Sequence, residues 1–274
     1  LCCLCDIPYF CRISHKDMAN QPMMEGIQVF KDNGVARIHF AHAKQNAFPA
    51  THLKSLQAAF EKVSNDKDVH VIVLQSDPAK AFCAGASFDE LLAVKTPDEG
   101  KAFFMGFANL INAMRLCSKP IVGRIHGKSI GGGVGIVAAC DYAIATNFAA
   151  VRLSELAIGI GPFVIAPALA RKIGSASLAS LALQPKEWKT ADWALSQGLY
   201  AEVHPDFETA DSAAIALAKQ LATYATEALA ELNKTLWADT DHWAELLPKN
   251  AEISGRLLLL PETQQTLHQL KSNK

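Results

Sequence analysis

The chain has 274 residues, of which 50% are hydrophobic and 19% charged, a composition typical of a globular protein with a large core. The formal net charge of −1 and the pI near 6.8 give no overall attraction for nucleic acid or for an anionic membrane surface, so we expect neither as a partner. The longest uncharged run, residues 156–170, is shorter than the ~20 apolar residues that cross a bilayer and contains prolines, so no membrane-spanning helix is predicted.

The N-terminal segment holds four of the seven cysteines. These are Cys2, Cys3, Cys5 and Cys11. No second pair follows at the spacing of a zinc site, so we predict no metal centre. The segment also lacks the basic start of a secretory signal, and Asp6 interrupts its apolar part. We expect residues 1–25 to be an extension outside the fold, disordered or not native to the protein, and we expect a cytoplasmic location.

The first folded segments follow the order strand, strand, helix, strand. The run IQVFKDNGVARIHFAH (27–42) predicts a hairpin, because DNG favours a turn between two runs of β-branched and aromatic residues. THLKSLQAAFEKVS (51–64) predicts a helix, because its large apolar residues recur at three- and four-residue spacing. VHVIVLQS (69–76) is almost continuously apolar, which is typical of a strand covered on both faces.

A second cycle of the same type follows. The segments are a loop that becomes a helix at Ser87 or Asp89, a long helix ending near Ser118, a strand at 119–127, a helix of small residues after Gly131 and a strand at 141–146. The repetition predicts a layered α/β core with crossovers. We assign residues 26–205 to this core. From about Glu208 helical periodicity prevails, so we assign residues 206–274 to a helical C-terminal region, punctuated by Pro248 and Pro261.

The glycine-rich stretch GKSIGGGVGIVAACD (127–141) does not fit the usual nucleotide motifs. A P-loop has four residues between its first glycine and GK[ST], whereas GRIHGKS has three. GVGIVA matches G-x-G-x-x-A, but residues 128–130 separate the strand from the glycines. The candidate ribose-binding acid, Glu155, follows Ser154 at an apparent helix start instead of ending a strand. We therefore predict neither a nucleotide triphosphate nor a dinucleotide site.

Three segments together resemble the crotonase, or enoyl-CoA hydratase/isomerase, superfamily. They are KAFCAGASFDEL (80–91), KPIVGRIHGKSIGGGVGIVAACDYAIAT (119–146) and VRLSELAIGIG (151–161). With AKQNAF (43–48) and the hairpin, the resemblance covers residues 26–205. It implies a crotonase-like α/β spiral of ββα units with a helical C-terminal region, commonly assembled as a trimer or a dimer of trimers. It also implies an acyl-CoA thioester as substrate, with no cofactor beyond the coenzyme A that the substrate carries.

The resemblance implies an oxyanion hole made by the backbone amides of Ala86 and Gly132. Reaction in this superfamily builds negative charge on the thioester oxygen, and such a pre-aimed donor contributes ~10²–10³ in rate. Glycine at 85 and at 131–133 lets the backbone turn sharply and approach a ligand. Gly133 is therefore a further candidate substrate contact.

Glu155 is the predicted general acid or base. It aligns with the second catalytic glutamate of enoyl-CoA hydratases and with the proton-shuttling glutamate of several isomerases. Gly135 stands where two-glutamate hydratases carry their first glutamate, and Phe163 stands where many have a glycine whose backbone helps hold the water.

Three functions are compatible with the absence of the first glutamate. Glu155 acts alone in a hydratase, shifts a double bond in an enoyl-CoA isomerase, or belongs to a site that only binds acyl-CoA. The segment GGGVGIVAACDYAIA resembles the corresponding segment of bacterial methylglutaconyl-CoA hydratases, which act in leucine or isoprenoid breakdown. Hydration is therefore the expected function.

The remaining candidate residues surround the predicted oxyanion hole. Lys44 and Lys80 match family positions near the coenzyme A phosphates or adenine, and a surface role is the alternative for both. The residues expected to line the pantetheine or acyl channel are Ala84, Ser87 and Phe88.

Overall fold

The computed structural model describes the backbone of Phe10–Cys11 and residues 24–272. The strands are β1 Phe10–Cys11, β2 Gly26–Asp32, β3 Val35–Ala41, β4 Val71–Ser76, β5 Ile121–Ile125, β6 Ser129–Ile130, β7 Tyr142–Thr146, β8 Ala150–Arg152, β9 Lys189–Thr190 and β10 Glu202–His204. The helices are α1 Ala50–Ser64, α2 Phe88–Ala93, α3 Pro97–Arg115, α4 Gly132–Ala139, α5 Ala166–Ala182, α6 Ala191–Ser196, α7 Phe207–Ala222, α8 Thr226–Leu236, α9 Trp243–Leu258 and α10 Pro261–Ser272. A short 3₁₀ turn covers Leu156–Ile158.

Two sheets organise the core. The main sheet has the order β1-β2-β3-β4-β5-β7-β10, and only β2 and β3 pair antiparallel in it. The small sheet has the order β6-β8-β9. The predicted hairpin is confirmed: Asp32 pairs with Val35, and Asn33 (φ 47°) and Gly34 (φ 79°) form its left-handed turn.

The central strand β4 is buried on both faces, as its continuous apolar run predicts. Ile72 and Leu74 join the core that α1 and α3 cover. Val71 and Val73 pack on the opposite side with Ala214 of α7. The sheet is therefore a buried layer between helices, which leaves the loops at its edges to carry the site.

The cap residues set where the helices next to the site begin. Ser87 accepts a hydrogen bond from the Glu90 amide at 3.4 Å, so α2 starts at Phe88, within the predicted interval. Thr96 and Glu99 form a reciprocal capping box at the start of α3.

The predicted helical C-terminal region consists of α7 to α10, but one proline departs from the expectation. Pro261 begins α10, whereas Pro248 lies inside α9 and does not interrupt it. The close packing of α9 on α3 accounts for this, since tertiary contact overrides local propensity. A Cβ atom on Gly100 of α3 would lie 2.8 Å from the Cα atom of Gly255 of α9.

We expect Gly100→Val to lower the free energy of unfolding by ~1–3 kcal/mol, because added methyl groups must push α9 away from α3. Ala102→Val places the same side chain on the exposed face of α3 and is expected to change it by less than ~0.5 kcal/mol. Urea denaturation of both variants measures the difference. Equal effects would contradict a tight α3–α9 contact.

Several expectations concern residues that the structure does not describe. The side chains of all the early cysteines and most of the 1–25 extension are among them, so those predictions stay open. Within residues 24–272, no helix combines the length and apolarity needed to cross a bilayer. In the same part of the chain, no three His, Cys, Asp or Glu side chains converge in a way that could hold a metal ion.

Candidate active site

A cavity of about 620 Å³ lies between the loop that leads into α2, helix α3, the start of α4 and the C-terminal helix α10. Most of its wall is apolar, and its aromatic side chains are Phe88, Phe103, Phe104 and Phe107. Glu155 is the only carboxylate in the part of the wall that the structure describes. The cavity therefore offers an apolar space with one acid, a setting suited to proton transfer on a mostly apolar ligand.

Backbone hydrogen bonds fix the predicted oxyanion loop at residues 83–87. Cys83 pairs with the strand before the triple glycine, since its amide donates to Lys128 O at 3.2 Å and its carbonyl accepts from the Ile130 amide at 2.9 Å. On the other side, the Phe48 amide donates to Gly85 O at 2.7 Å, and the Ser87 amide donates to Phe48 O at 2.9 Å. The loop is thus held from both sides.

The two predicted oxyanion donors, Ala86 and Gly132, both line the cavity. Neither backbone amide donates a hydrogen bond within the described part of the chain. Gly85 has φ +82°, and a Cβ atom there would lie 2.9 Å from Ile130 O and 3.6 Å from the Gly132 amide nitrogen. The structure thus brings the two segments together with two unused donors, as an oxyanion hole requires.

Glu155 is positioned by the small sheet. Ile130 of β6 pairs with Arg152 of β8, and the Gly131 amide donates to Arg152 O at 2.9 Å. The chain then enters the 3₁₀ turn, which places the Glu155 carboxylate against Gly131. A Cβ atom on Gly131 would lie only 2.8 Å from Glu155 Oε1, so glycine gives the carboxylate its space.

The pKa of the Glu155 carboxyl lies close to neutral pH. Its Oε2 atom is buried and has no hydrogen-bond partner among the described residues. Burial raises its pKa from 4.5 to about 7, although the backbone amides of Glu155 and Ser154 partly oppose the rise. A group with this pKa can both accept and return a proton at physiological pH.

The place of the missing first glutamate is filled by Ile165. A Cβ atom on Gly135 would lie 2.4 Å from Ile165 Cγ2, and Ile165 itself lines the cavity. Phe163 packs on Gly161, where a Cβ atom would lie 2.5 Å from the ring. Apolar groups therefore occupy the two places where the resemblance puts the first glutamate and the water-holding glycine of two-glutamate hydratases.

Neither predicted coenzyme A lysine lies in the cavity wall. Lys44 is exposed and forms an ion pair with Asp89. Lys80 forms an ion pair with Asp77 at 2.7 Å. The contact of both lysines with coenzyme A stays a prediction.

The other predicted contacts divide into two groups. Ala84 and Phe88 line the cavity. Ser87 and Gly133 do not: Ser87 caps α2, and a Cβ atom on Gly133 would lie 2.7 Å from Cys83 O, so its glycine allows close packing behind the loop. Cys83 is buried, which raises the pKa of its thiol to about 12, so the side chain packs as a small apolar group.

Sequence reasoning missed Asn46 as a residue that positions the oxyanion loop. Its side-chain amide is buried and donates to Asp77 O at 3.1 Å and to Ala81 O at 2.9 Å. Its carbonyl oxygen accepts from the His42 amide at 2.9 Å. The only signal in sequence is an asparagine in the short connection AKQNAF, where a turn-favouring residue is ordinary.

It also missed the contribution of α10 to the wall. This helix adds Thr266, Gln269 and Leu270 to the cavity. Thr263 of the same helix donates to Gly159 O at 3.2 Å and so attaches α10 to the turn that carries Glu155. Periodicity alone predicts the helix but not where it docks.

The comparison with protein families decides the relationship. The family model for enoyl-CoA hydratase/isomerase matches residues 31–272. The chain belongs to this family. Membership of the enoyl-CoA hydratase/isomerase family confirms the resemblance to the crotonase superfamily seen in the sequence.

Similar proteins of this family carry both kinds of name. The mitochondrial Delta(3,5)-Delta(2,4)-dienoyl-CoA isomerase of Homo sapiens is 29% identical over 210 residues, which are 73% of this chain and 64% of the isomerase. The match therefore spans less than two thirds of that relative. A protein of Bacillus subtilis (strain 168) named probable enoyl-CoA hydratase is 28% identical over 217 residues, covering 79% of this chain and 83% of its own length.

Solved structures confirm the predicted fold class. The crystal structure of enoyl-CoA hydratase from Bacillus halodurans matches with a TM-score of 0.83, covering 89% of this chain and 99% of that one at 22% identity. At this identity the likeness establishes the fold alone. The predicted crotonase-like α/β core with helical C-terminal region is thus correct for this family member.

Proposed function

We propose that the protein is an enoyl-CoA isomerase that moves a carbon–carbon double bond with Glu155 as its single acid–base group. The observation that favours an isomerase is the position of Ile165, which fills the space that a side chain at Gly135 would need. Glu155 is then the only carboxylate in the described wall. A double-bond shift needs one group that removes a proton and returns it. No water has to be held.

The proposed reaction uses a 3-enoyl-CoA. The Glu155 carboxylate removes a proton from C2, and the electrons move into the thioester to form a dienolate whose oxygen accepts hydrogen bonds from the Ala86 and Gly132 amides. The protonated Glu155 then donates the proton to C4, which gives the 2-enoyl-CoA. Atoms and charge balance without a cofactor, since coenzyme A enters as part of the substrate.

The pKa of Glu155 near 7 supports both halves of this cycle. A carboxylate with an ordinary pKa would be a weaker base toward the C2 proton, and one with a pKa far above 7 would rarely be ionised at the start of the cycle. A carboxyl with a pKa near the working pH balances the two tasks. The apolar wall that causes the shift therefore also serves the chemistry.

Hydration, the function expected from sequence, is the second candidate. The Bacillus subtilis relative named probable enoyl-CoA hydratase favours it, since its match covers most of both chains. Here Glu155 alone would orient the water and then protonate the α-carbon. An acyl-CoA-binding protein without turnover is the third possibility, and methylglutaconyl-CoA is one substrate to test for the second.

A panel of 3-enoyl- and 2-enoyl-CoA thioesters, incubated in D₂O and followed by liquid chromatography with mass detection, separates these functions. The isomerase is expected to convert 3-enoyl-CoA into the 2-enoyl isomer without adding water. A product heavier by one water would instead identify a hydratase. Tight binding of every thioester with no conversion would leave only the binding protein.

Substitutions at Gly135 and Ile165 test whether the protein adds no water because it lacks a second carboxylate. Gly135→Glu alone is expected to destabilise the chain by ~1–3 kcal/mol or more, because its Cβ atom meets Ile165. Combining it with Ile165→Ala provides room, and this double variant is expected to gain measurable water addition. Gly135→Gln with Ile165→Ala is the matched control without a carboxylate. Equal hydration by the control would contradict the role assigned to the missing acid.

The assembly is a further part of the proposal. By family resemblance we propose a homotrimer or a dimer of trimers in the cytoplasm. Light scattering on the purified chain measures the mass of the assembly directly.

A further inference from the structure

Two cations, Arg152 and Lys186, line a cavity that is otherwise mostly apolar. Among the described residues neither belongs to an ion pair, and Arg152 Nε is buried without a hydrogen-bond partner. Arg152 as a whole is only partly buried, but a buried N–H without an acceptor is costly unless a ligand supplies one. The two cations therefore indicate an anionic group on the ligand.

Stacking holds the Arg152 side chain in place. Its guanidinium lies over the Trp188 ring, 4.5 Å from the ring centroid. Lys128 Nζ lies 4.9 Å from the same centroid but does not line the cavity. A stacked guanidinium keeps its plane fixed and its N–H edge available, which suits two-point binding of a carboxylate.

The location of Arg152 indicates which part of an acyl-CoA it meets. Arg152 pairs with Ile130 and precedes Glu155 by three residues, so it enters the same cavity as the acid and the Gly132 amide. Carbon atoms of the acyl chain must lie in this space if Glu155 transfers a proton to them. Lys44 and Lys80, which the resemblance placed near the coenzyme A phosphates, lie outside the wall.

We propose that Arg152 and Lys186 bind a carboxylate at the far end of the acyl chain, so that the substrates are dicarboxylic acyl-CoA thioesters. The proposal rests on the proposed function, since it takes the cavity as the acyl site. Arg152 forms the two-point contact, and Lys186, an exposed residue at the rim, adds charge. The apolar side chains in the rest of the wall accommodate the methylene groups.

Binding of two unreactive thioesters to the full chain tests this proposal. Glutaryl-CoA and pentanoyl-CoA have equal chain length and differ in the terminal carboxylate. Calorimetry is expected to show that the protein binds glutaryl-CoA about 10- to 100-fold more tightly, the range for a hydrogen bond between charged groups. Arg152→Gln should remove this preference while leaving the Kd for pentanoyl-CoA and for free coenzyme A unchanged.

Lys128→Gln is the matched control, because it removes a cation from the same tryptophan outside the wall, and it should retain the preference. Arg152→Lys should retain part of it. Equal affinity for the two thioesters in the unmodified protein would overturn the proposal. Weaker binding of free coenzyme A by Arg152→Gln would also overturn it, since the cation would then serve a phosphate.

These outcomes differ from a failure of the proposed function. If pentanoyl-CoA and glutaryl-CoA both fail to bind, the acyl-CoA site itself is wrong. If the protein isomerises neutral 3-enoyl-CoA but shows no preference for glutaryl-CoA, the isomerase stands and only the carboxylate subsite is wrong.

Discussion

Replacement of Glu155 by glutamine is expected to lower kcat by about 10²–10⁴, the usual contribution of a positioned acid–base group. Gln keeps the size and the polar atoms of the side chain but can neither take the C2 proton nor return it. Binding of a saturated acyl-CoA should change little, since the Ala86 and Gly132 amides are untouched. The loss should therefore appear in kcat and not in the Kd of the ligand.

The same variant is expected to be more stable than the unmodified protein above neutral pH. The pKa of Glu155 is raised from 4.5 to about 7 in the folded chain, so the folded state binds more protons than the unfolded state between these values. Stability consequently falls as pH rises through this window. Full ionisation costs on the order of 3 kcal/mol at ~1.4 kcal/mol per pKa unit, and Gln avoids that cost.

Denaturation and kinetics across pH 4 to 9 check both effects. We expect the two proteins to have equal stability near pH 4 and the Glu155→Gln variant to be more stable at pH 8. In the unmodified protein kcat/KM should rise with pH up to about 7 and then level off, because the base must be ionised. Glu208→Gln, on the exposed surface of α7, is the matched control and should change neither property. Retained turnover in Glu155→Gln would rule out the assigned mechanism.

Gly85→Ala is expected to lower kcat by about 10²–10³, which is the loss that follows removal of one oxyanion donor. The added Cβ atom would lie 2.9 Å from Ile130 O, a backbone atom that cannot move away without shifting the start of α4. Positive φ adds strain to the Ala86 amide next in the chain. The Ala86 donor should therefore lose its alignment.

Gly174→Ala separates strain from misalignment. Gly174 also has positive φ, at +74°, but a Cβ atom there meets nothing within 4 Å. It should lower stability by about 1 kcal/mol through backbone strain alone and leave kcat unchanged. If both substitutions reduce kcat equally, the effect reflects general strain, and the oxyanion hole at Ala86 and Gly132 is contradicted.

The elements that sequence predicts well are those that one physical rule controls. The apolar spacing in α1 predicts a helix and the continuous apolar run of β4 predicts a buried strand, and both predictions are confirmed. The oxyanion loop could be anticipated from CAGAS and the triple glycine by family resemblance. Its backbone pairing with residues 128–130 supports the arrangement, and its role stays a prediction.

Other features depend on contacts between distant residues, which local patterns do not report. The glycine at 135 indicates a missing acid, yet nothing near it in sequence indicates that Ile165 fills the space. Pro248 is a helix breaker by local rules, and the packing of α9 on α3 overrides them. Arg152 has a weak signal, because it alternates with buried Val151 and Leu153 and so faces away from the core.

The pairing of β6 with β8 has a consequence for how specificity can change in this protein. Backbone pairing between two short segments, Ser129–Ile130 and Ala150–Arg152, sets the separation of the Gly132 amide and Glu155, the proposed oxyanion donor and acid. The room for the acyl chain is instead set by α3, α10 and the residues after Glu155. The proposed proton transfer and the room for the acyl chain thus depend on largely separate parts of the chain, with Arg152 of β8 belonging to both. The helical walls can therefore be redesigned for an acyl chain of another length without disturbing proton transfer.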